Sequence, residues 1–439
     1  MPSKITIIGG GSSTFVPQLM RLFLGSEVLA GSTISLMDID SHRLEIMHTL
    51  CRELVKAEKA DLKIESTTNQ KESLTDADFV ITAISVGGMD AWEKDIEIPA
   101  KYGVYMPIAD SIGPGGMMRA FRHIPVLTSV CEDLEEVSPE AVVFNYSNPA
   151  TANTMAMRWV SSIDSFGLCT CSSIPRNAEY LAFGLGVKGE ELVMPAPAGG
   201  LNHCAAVLEL KLTDGRDALP LFAERAEQWI MKWGLETFGV LPYCWSHWSE
   251  FFPSLLRLED KYEGKLQGLA MSYGLHVHDM DHERERSNRL ESLVDRLVKG
   301  EEAISLDVLP TAEAIEVVEI IEAMLENRNE IHVVNAPNEG AISNLPDDAI
   351  VEVSSVVGGY GIMPMHVGPL PEAWAAMLRT HITVQELTVE AAITGDHEVA
   401  LQAFLLDPQI SAKLNPEETE KLLDELLAAH ANYLPQFAC

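Results

Sequence analysis

Two cysteines and a histidine near the middle of the chain have side chains that could bind a metal. Cys169 and Cys171 are two residues apart, and His203 follows in the next stretch of the chain. A thiolate together with a neutral imidazole suits a transition metal. If the two cysteines lie on a strand, their side chains share one face, so either could be the ligand. Buried cysteines and core histidines are more common than metal sites, so these residues alone leave ordinary packing open.

A glycine turn near the N-terminus has the context of a dinucleotide-binding loop. A β-branched run, residues 4–8, stops at a turn that contains Gly9 and Gly11, and an apolar helical pattern follows over residues 15–24. Glycines here let the backbone approach a pyrophosphate, while the helix N-terminus faces its charge. Thr14 stands where the usual fingerprint has its third glycine. The alternative is a tight turn without a ligand.

Asp38 follows the second β-rich run, residues 33–37, and offers a nucleotide an acidic partner. Its carboxylate would accept hydrogen bonds from the ribose hydroxyls of NAD, and its charge would disfavour the phosphate of NADP. Alternatively, Asp38 is only the N-cap of the helix that follows. The order strand, glycine turn, helix, strand and acid favours the cofactor. We therefore expect NAD to bind at Gly9, Gly11 and Asp38.

Polar residues that could contact a substrate lie near a later predicted strand. Asn148 follows the run at residues 141–146, at the edge of the sheet where doubly wound folds bind their substrates. Its amide could bind sugar-like hydroxyls, or it could serve the turn before the next proline. Arg119 and Arg122 lie one turn apart on a predicted helix and could meet a substrate carboxylate or form surface salt bridges.

The elements that would position these residues alternate between strands and helices through the first third of the chain. Such alternation indicates βαβ crossovers and a parallel sheet. The sequence therefore predicts an α/β fold in two domains. Residues 1–165 would form an NAD-binding, Rossmann-like domain with a doubly wound parallel sheet, and residues 166–439 an α+β domain for substrate, metal and oligomerisation. Helical patterns end the chain, at residues 372–394, 397–406 and 417–433.

The overall composition restricts the partners and the compartment. The chain has 439 residues, 47% of them apolar, which is ample for a core, and a formal net charge of −34. That charge repels phosphate backbones and anionic lipid headgroups, so we expect neither nucleic acid nor membrane as a partner. No run approaches the roughly 20 apolar residues of a membrane span, and no signal-peptide pattern is present. The 7 cysteines are irregularly spaced, which favours a reducing cytoplasm.

Together these segments resemble the family 4 glycoside hydrolases, NAD-dependent and usually manganese-dependent glycosidases that are related in fold to malate and lactate dehydrogenases. The resemblance covers nearly the whole chain and rests on segments that occur in the same order. They are residues 7–12, 36–40, 78–81, 108–116, 145–149, 167–169, 200–203 and 334–338. Within the family, residues 110–116 and 249–253 are most similar to the α-galacturonidase subgroup.

The resemblance implies a role for each matching residue. The residues implied to hold NAD are Gly9, Gly11, Ser12 and Asp38. Cys169 and His203 would bind the divalent metal, usually Mn2+, and Cys169 is favoured over Cys171 because it ends the segment Gly-Leu-Cys. Asn148 would bind sugar hydroxyls, and Asp110 would act as the acid that helps the leaving oxygen depart.

The implied chemistry is an oxidation followed by an elimination, outside the usual two-carboxylate scheme of glycoside hydrolysis. NAD+ takes a hydride from C3 of the sugar, the metal polarises the new ketone, and the proton on C2 becomes acidic. A base removes that proton, the aglycone leaves C1, water adds, and the hydride returns to C3. The reaction therefore needs a nicotinamide although it gives no net oxidation.

The position of the base departs from the family pattern. Family members have a tyrosine or aspartate shortly after the segment that matches residues 239–242, and the matching residue here is Trp245, which cannot accept a proton. Tyr243 and His247 are its neighbours and are the two candidates for the catalytic base, although an aromatic lining is the alternative for Tyr243. An arginine of the α-galacturonidase subgroup is replaced by Ser246, which argues against recognition of a uronate.

The expected function is that of a glycosidase acting on α-linked uronides or hexosides, with a small-molecule glycoside as its partner. The alternatives are a conventional NAD-dependent dehydrogenase of a hydroxy acid or sugar and a family member with a regulatory role. In a dehydrogenase, NADH would accumulate as substrate is consumed. By analogy with the dimers and tetramers of the family, we expect a homodimer or homotetramer.

Overall fold

A parallel, doubly wound sheet forms the N-terminal part of the computed structural model, which describes residues 2–225, 229–244, 247–256, 280–309, 311 and 314–438. Its strands are β1 (Lys4–Ile8), β2 (Thr33–Met37), β3 (Lys63–Thr67), β4 (Phe79–Thr82), β5 (Val142–Asn145) and β6 (Ser165–Gly167). They pair in the order β3-β2-β1-β4-β5-β6, which is the order of dinucleotide-binding folds. The predicted Rossmann-like α/β fold is confirmed.

Helices pack on both faces of this sheet. They are α1 (Val16–Gly25), α2 (Ser41–Glu58), α3 (Gln70–Leu74), α4 (Gly88–Lys101), α5 (Gly113–Val137) and α6 (Ala150–Val160). Ile7 of β1 packs in a cluster with α1 and α2, and Ile8 packs in another with α5 and α6. Successive side chains of a strand point to opposite faces, so a fully apolar strand must be covered twice. The loops that lead from the strands to these helices lie at the carboxyl edge of the sheet.

The sheet continues into antiparallel strands from the C-terminal half. These are β7 (Ala198–Leu201), β8 (Cys204–Val207), β9 (Leu241–Pro242), β10 (Glu330–Pro337), β11 (Ile350–Gly358) and β12 (Gly361–Pro364). From β6 the order is β10-β11-β7-β8-β9, with β12 beside β11. The expected domains, residues 1–165 and 166–439, share this one sheet, and the boundary between them stays a prediction.

The helices of the C-terminal half begin with α7 (Ala178–Leu185), α8 (Leu219–Arg225), α9 (Trp229–Phe238), α10 (Met280–Val298) and α11 (Val317–Glu326). They end with α12 (Glu372–Thr394), α13 (His397–Leu406), α14 (Pro408–Ser411) and α15 (Pro416–Ala429). The predicted helices at residues 372–394 and 397–406 are confirmed, and the third ends earlier than predicted. Among the described helices, none combines the length and apolar character of a membrane span.

One local prediction is wrong, because Cys169 and Cys171 do not lie on a strand. The strand β6 ends at Gly167, and Cys169 is the N-cap of a 3-10 helix at Thr170–Arg176. The Sγ of Cys169 accepts a hydrogen bond from the N–H of Cys171 at 3.4 Å. The polar run Thr-Cys-Ser-Ser before a proline favours such a capped turn over a strand. The choice between the two thiols as metal ligand therefore depends on their contacts.

Candidate active site

The glycine turn after β1 is held against the ends of β2 and β4. The N–H groups of Gly9 and Gly10 donate to the carbonyl oxygen of Met37 at 3.0 and 2.8 Å. Gly9 has a φ of +97°, and a Cβ there would collide with the carbonyl oxygen of Ala83. A side chain is therefore excluded for both conformational and steric reasons. The turn brings bare backbone to the carboxyl edge of the sheet.

Asp38 lies beside this turn and does not have the capping role that was its alternative. Its carboxylate accepts hydrogen bonds from the N–H groups of Gly11 at 2.9 Å and Asp40 at 3.0 Å. The N-cap of α2 is Asp40 instead, whose side chain accepts from the N–H groups of His42 and Arg43. Asp38 is thus a half-buried acid held at the glycine turn.

The glycine turn and Asp38 together fit a dinucleotide. The hydroxyl of Ser12 accepts a hydrogen bond from the N–H of Phe15 at 3.0 Å and so stabilises the start of α1. Gly11 lies so close to Asp38 that a Cβ on the glycine would be 2.9 Å from the carboxylate. A helix N-terminus, a glycine turn and a neighbouring acid are the features by which such folds hold the pyrophosphate and ribose of NAD.

Replacing Gly11 by alanine is expected to weaken NAD binding at least tenfold, or by about 1.4 kcal/mol. The new Cβ would press on Asp38 and on the Cβ of Arg43, 3.0 Å away, and displace the acid that is expected to bind the ribose. Calorimetric titration with NAD measures the change. Gly25→Ala is the matched control, because no atom lies within 4 Å of the position its Cβ would take. Unchanged affinity in Gly11→Ala would contradict this assignment.

The other expected site residues come together next to the carboxyl ends of β5 and β6. They lie on the loop before α5 (Asp110), after β5 (Asn148), after β6 (Cys169), in the hairpin between β7 and β8 (His203) and after β9 (His247). Parallel strands bring the loops at their carboxyl ends to one edge, and the antiparallel strands add the two histidines. Both halves of the sheet therefore contribute to one site.

Asp110 is hydrogen-bonded through both carboxylate oxygens. Its Oδ2 accepts from Nδ2 of Asn148 at 2.7 Å, and its Oδ1 accepts from Oγ of Ser111 at 2.6 Å. The Nδ1 of His203 is 3.7 Å from Oδ1, and the Nε2 of His247 is 3.9 Å from Oδ2. The potential ligand atoms of Asp110 and the two histidines all lie within 4.8 Å of one another. This is a compact set of oxygen and nitrogen donors.

The charges of the cluster favour a bound cation. Burial alone would raise the pKa of Asp110, but His203, His247 and Arg119 outweigh it and hold the pKa below its usual range. Burial alone would lower the pKa of His203, but Cys169 and Asp110 contribute to raising it to about 9. The negative charge of Asp110, which helps to keep a proton on His203, would also attract a divalent metal, whose binding displaces that proton. The expected role of Asp110 as the acid stays a prediction.

Cys169, rather than Cys171, is the thiol that contacts His203. Cys169 lies close enough to His203 to raise the pKa of the imidazole, whereas the Sγ of Cys171 lies 2.7 Å from the Sγ of Cys244. His203 has a φ of +66°, a strained conformation for a residue other than glycine, so the hairpin holds this ring at an energetic cost. Sulfur, imidazole and carboxylate donors in one buried cluster fit a divalent transition metal.

Tyr243, one candidate for the base, donates its hydroxyl to a buried carboxylate. Its Oη is 2.5 Å from Oε1 of Glu352. Burial and the charge of Glu352 raise the pKa of Tyr243 well above its usual value. Asn202 and Asn335 donate to the other oxygen, Oε2, at 2.7 and 3.2 Å. A fully buried phenol that acts as a hydrogen-bond donor is poorly placed to accept a proton from a substrate.

His247 is the other candidate for the base. One of its ring nitrogens faces Asp110, and the other lies beside a thiol. Its Nε2 faces the carboxylate of Asp110, and its Nδ1 lies 3.2 Å from the Sγ of Cys244. The side chain is 20% exposed, so it is accessible where Tyr243 is not. Two neighbours named in the sequence lie outside the described residues: Trp245 and Ser246.

Two buried acids, Glu250 and Glu352, are not among the residues expected from the sequence. Glu352 interrupts an apolar run in β11, and a lone acid in a buried strand is the signal that could have identified it. Glu250 accepts hydrogen bonds from the N–H groups of Ile108 at 2.6 Å and Ala109 at 3.0 Å. Burial raises the pKa of Glu250 to about 8. Its contacts hold the loop that leads into Asp110.

The two arginines of α5 have different partners. Arg122 forms a bidentate ion pair with Asp95, at 2.9 and 2.6 Å, and both side chains are almost fully buried. The surface salt bridge considered for Arg122 is therefore an interior one. Arg119 has its guanidinium 5.6 Å from the ring centre of Trp92, and its Nε has no hydrogen-bond partner among the described residues. Arg119 lies near Asp110, so of the two arginines it is the one that remains a candidate for contact with a substrate.

Comparison with known proteins gives matches over nearly the whole chain. Residues 4–175 match the model of family 4 glycosyl hydrolase, and residues 198–410 match that of the C-terminal domain of the same family. An α-galactosidase of Bacillus subtilis (strain 168) is 33% identical, over 99% of each chain. An α-galacturonidase of Lachnoclostridium phytofermentans is 30% identical, over 99% of this chain and 97% of the relative.

A solved structure gives an independent comparison of the fold. It is a 6-phospho-α-glucosidase from gut microorganisms, in complex with NAD and Mn2+. It superposes with a TM-score of 0.81, at 22% identity and over 99% of each chain. The two chains therefore share one fold across both halves of the sheet.

Proposed function

The chain belongs to the family 4 glycosyl hydrolases, and from this premise we propose that it cleaves α-linked hexosides, α-galactosides first among them, with the help of NAD and a divalent metal. The buried cluster of Asp110, His203 and His247 beside Cys169 supports this function most directly. These side chains lie at the same sheet edge as the glycine turn, and among them are the proposed metal donors and the proposed base. An ordinary dehydrogenase of this fold has no need of a thiolate and imidazole metal site.

The two cofactors have separate binding residues in this scheme. NAD would be held by Gly9, Gly11, Ser12 and Asp38. Cys169 and His203 would hold the metal, with Mn2+ as the first choice, and the solved structure that contains NAD and Mn2+ supports the choice of these two cofactors. When bound, NAD accepts and returns a hydride, and the metal acts as a Lewis acid towards sugar oxygens.

His247 is the base that takes the proton from C2 of the sugar. The thiol of Cys244 donates to the Sγ of Cys171, so the sulfur of Cys244 can accept the Nδ1–H of His247. That tautomer leaves Nε2 unprotonated, on the side of Asp110. Asn148, whose side chain donates to Asp110 at 2.7 Å, would bind sugar hydroxyls, and Asp110 would act as the acid that helps the leaving oxygen depart. Arg119 would serve as a further substrate contact.

A neutral hexoside is preferred over a uronide for two reasons. The α-galactosidase relative is 33% identical to this chain and the α-galacturonidase relative 30%, each over 99% of this chain. In addition, Ser246 replaces the arginine that the α-galacturonidase subgroup has beside its histidine, so a partner for a uronate carboxylate is missing from that position of the sequence. A sugar without a carboxylate needs no such partner.

We also propose that the enzyme works in the cytoplasm as a homodimer or homotetramer. Six cysteines of the described residues are free thiols, and a thiolate metal ligand requires a reducing compartment. The oligomeric state rests on analogy with the family. Light scattering of the purified protein measures it.

The function is tested by assaying aryl α-galactosides and aryl α-galacturonides with added NAD, Mn2+ and a reductant. We expect hydrolysis of the α-galactoside that stops when the metal is chelated or NAD is removed, and that resumes when both are restored. NADH should not accumulate as product forms. Hydrolysis without either cofactor would refute the proposal, and stoichiometric NADH would indicate a dehydrogenase instead.

A further inference from the structure

A second group of metal-binding side chains lies behind the proposed base. The Sγ atoms of Cys171 and Cys244 are 2.7 Å apart, and Nδ1 of His247 is 3.2 Å from the Sγ of Cys244. The ligand atoms of all three residues lie within 4.8 Å of one another. Cys244 is buried, and Cys171 and His247 are partly buried. The proposed chemistry assigns no metal to these three residues.

The donors of this group differ chemically from those assigned to Mn2+. Two sulfurs and an imidazole are soft or borderline ligands, which favour zinc over manganese or magnesium. In a tetrahedral zinc site the two sulfurs would be about 3.8 Å apart, with zinc–sulfur bonds of about 2.3 Å. The observed thiols therefore need to separate by roughly 1 Å, a movement that side-chain rotation can supply.

We propose that Cys171, Cys244 and Nδ1 of His247 form a binding site for a thiophilic cation such as Zn2+, distinct from the metal site of Cys169 and His203. Two thiols lose their protons to solvent, both sulfurs and the imidazole nitrogen bind the cation, and a water completes the tetrahedron. No oxidant or reductant is required.

Zinc at this site inhibits the enzyme, an effect that rests on the proposed role of His247. When Nδ1 binds a metal, the remaining proton of the neutral imidazole must sit on Nε2. Nε2 is the nitrogen that faces Asp110, and in the metal-bound form it becomes a donor. His247 then cannot accept the C2 proton. Thiophilic cations would thus switch off the base through Nδ1 of His247, and Cys169 is not among their ligands.

The test measures zinc binding directly, in a Cys169→Ala background that removes the other thiolate ligand. Zn2+ is titrated into this variant against a chromophoric chelator under reducing conditions. We expect it to bind one equivalent of Zn2+, and addition of Cys244→Ala to weaken that binding by at least about 100-fold. Addition of Cys171→Ala should have the same effect, which provides a second variant if one does not fold.

Cys51→Ala in the same background is the matched control, since Cys51 is a buried thiol of α2, and it should leave zinc binding unchanged. If the Cys169→Ala variant itself bound no zinc, the proposal would be overturned, because the zinc bound by the wild type would then lie on the site of Cys169 and His203. Unchanged binding after Cys171→Ala or Cys244→Ala would overturn it as well. Glycosidase assays without zinc test the proposed function separately, so the zinc site and the glycosidase function can fail independently of each other.

Discussion

Replacing Cys169 by alanine should lower kcat/KM for aryl α-galactoside hydrolysis by at least about 10³-fold, which corresponds to roughly 4 kcal/mol of transition-state stabilisation. In the proposed metal site Cys169 would supply the sulfur ligand beside His203, and without it the site would keep only nitrogen and oxygen donors for the divalent metal. The metal is needed to polarise the sugar oxygens, so the loss should appear mainly in kcat. Initial rates and the bound metal content, measured by mass spectrometry, check this expectation.

Cys131→Ala is the matched control for this substitution. Cys131 is a buried thiol of α5 that contacts the hydroxyl of Ser165, away from the cluster. The Cys131→Ala variant should retain both its glycosidase activity and its bound metal. NAD affinity should be unchanged in both variants, because the glycine turn does not involve either thiol. A Cys169→Ala enzyme that loses its metal but retains more than a tenth of the wild-type rate would show that the metal is not required.

The second large effect is expected from His247→Gln, which should lower kcat by about 10²- to 10⁴-fold, the usual contribution of general base catalysis. Proton removal from C2 leaves an isotopic record, because the proton that returns comes from solvent. In heavy water, the sugar released by the wild type should carry deuterium at C2. The variant should release little sugar, and therefore little deuterium should be found in the product. Mass spectrometry of the sugar measures the label.

Tyr243→Phe is the comparison that separates the two candidate bases. Phenylalanine fills the same space, and the hydroxyl it lacks donates to Glu352 at 2.5 Å. We expect a loss of stability of about 1 to 3 kcal/mol from the unpaired buried acceptor. Deuterium uptake at C2 and a kcat within tenfold of the wild type should remain. If Tyr243→Phe abolished deuterium uptake and His247→Gln did not, the roles of the two residues would be the reverse of those proposed.

The nucleotide site could be predicted from sequence because its parts are local. Gly9, Gly11 and Asp38 belong to consecutive elements, and strand, turn and helix patterns place them within one βαβ unit. Sequence could not decide whether Asp38 was a helix cap. Asp40 takes that role, with its carboxylate accepting from the first N–H groups of α2, and this leaves Asp38 at the glycine turn.

The metal and sugar site could be named from resemblance but not assembled from the sequence. Cys169 and Cys171 were expected on one strand face, and the capped turn after β6 removed that argument. The choice of Cys169 then depended on its contact with His203. Glu250 and Glu352 escaped prediction because single acids in apolar stretches carry no spacing pattern. Their importance lies in contacts with residues far away in the chain.

The sequence by itself determined the fold class and the position of the glycine turn, because hydrophobic periodicity and glycine chemistry act between near neighbours. The tertiary structure decided which side chains meet. It buried Tyr243 as a hydrogen-bond donor to Glu352, left His247 accessible, and paired Arg122 with Asp95 in the interior. Such contacts join segments a hundred or more residues apart or depend on the direction of a side chain, and local propensities specify neither.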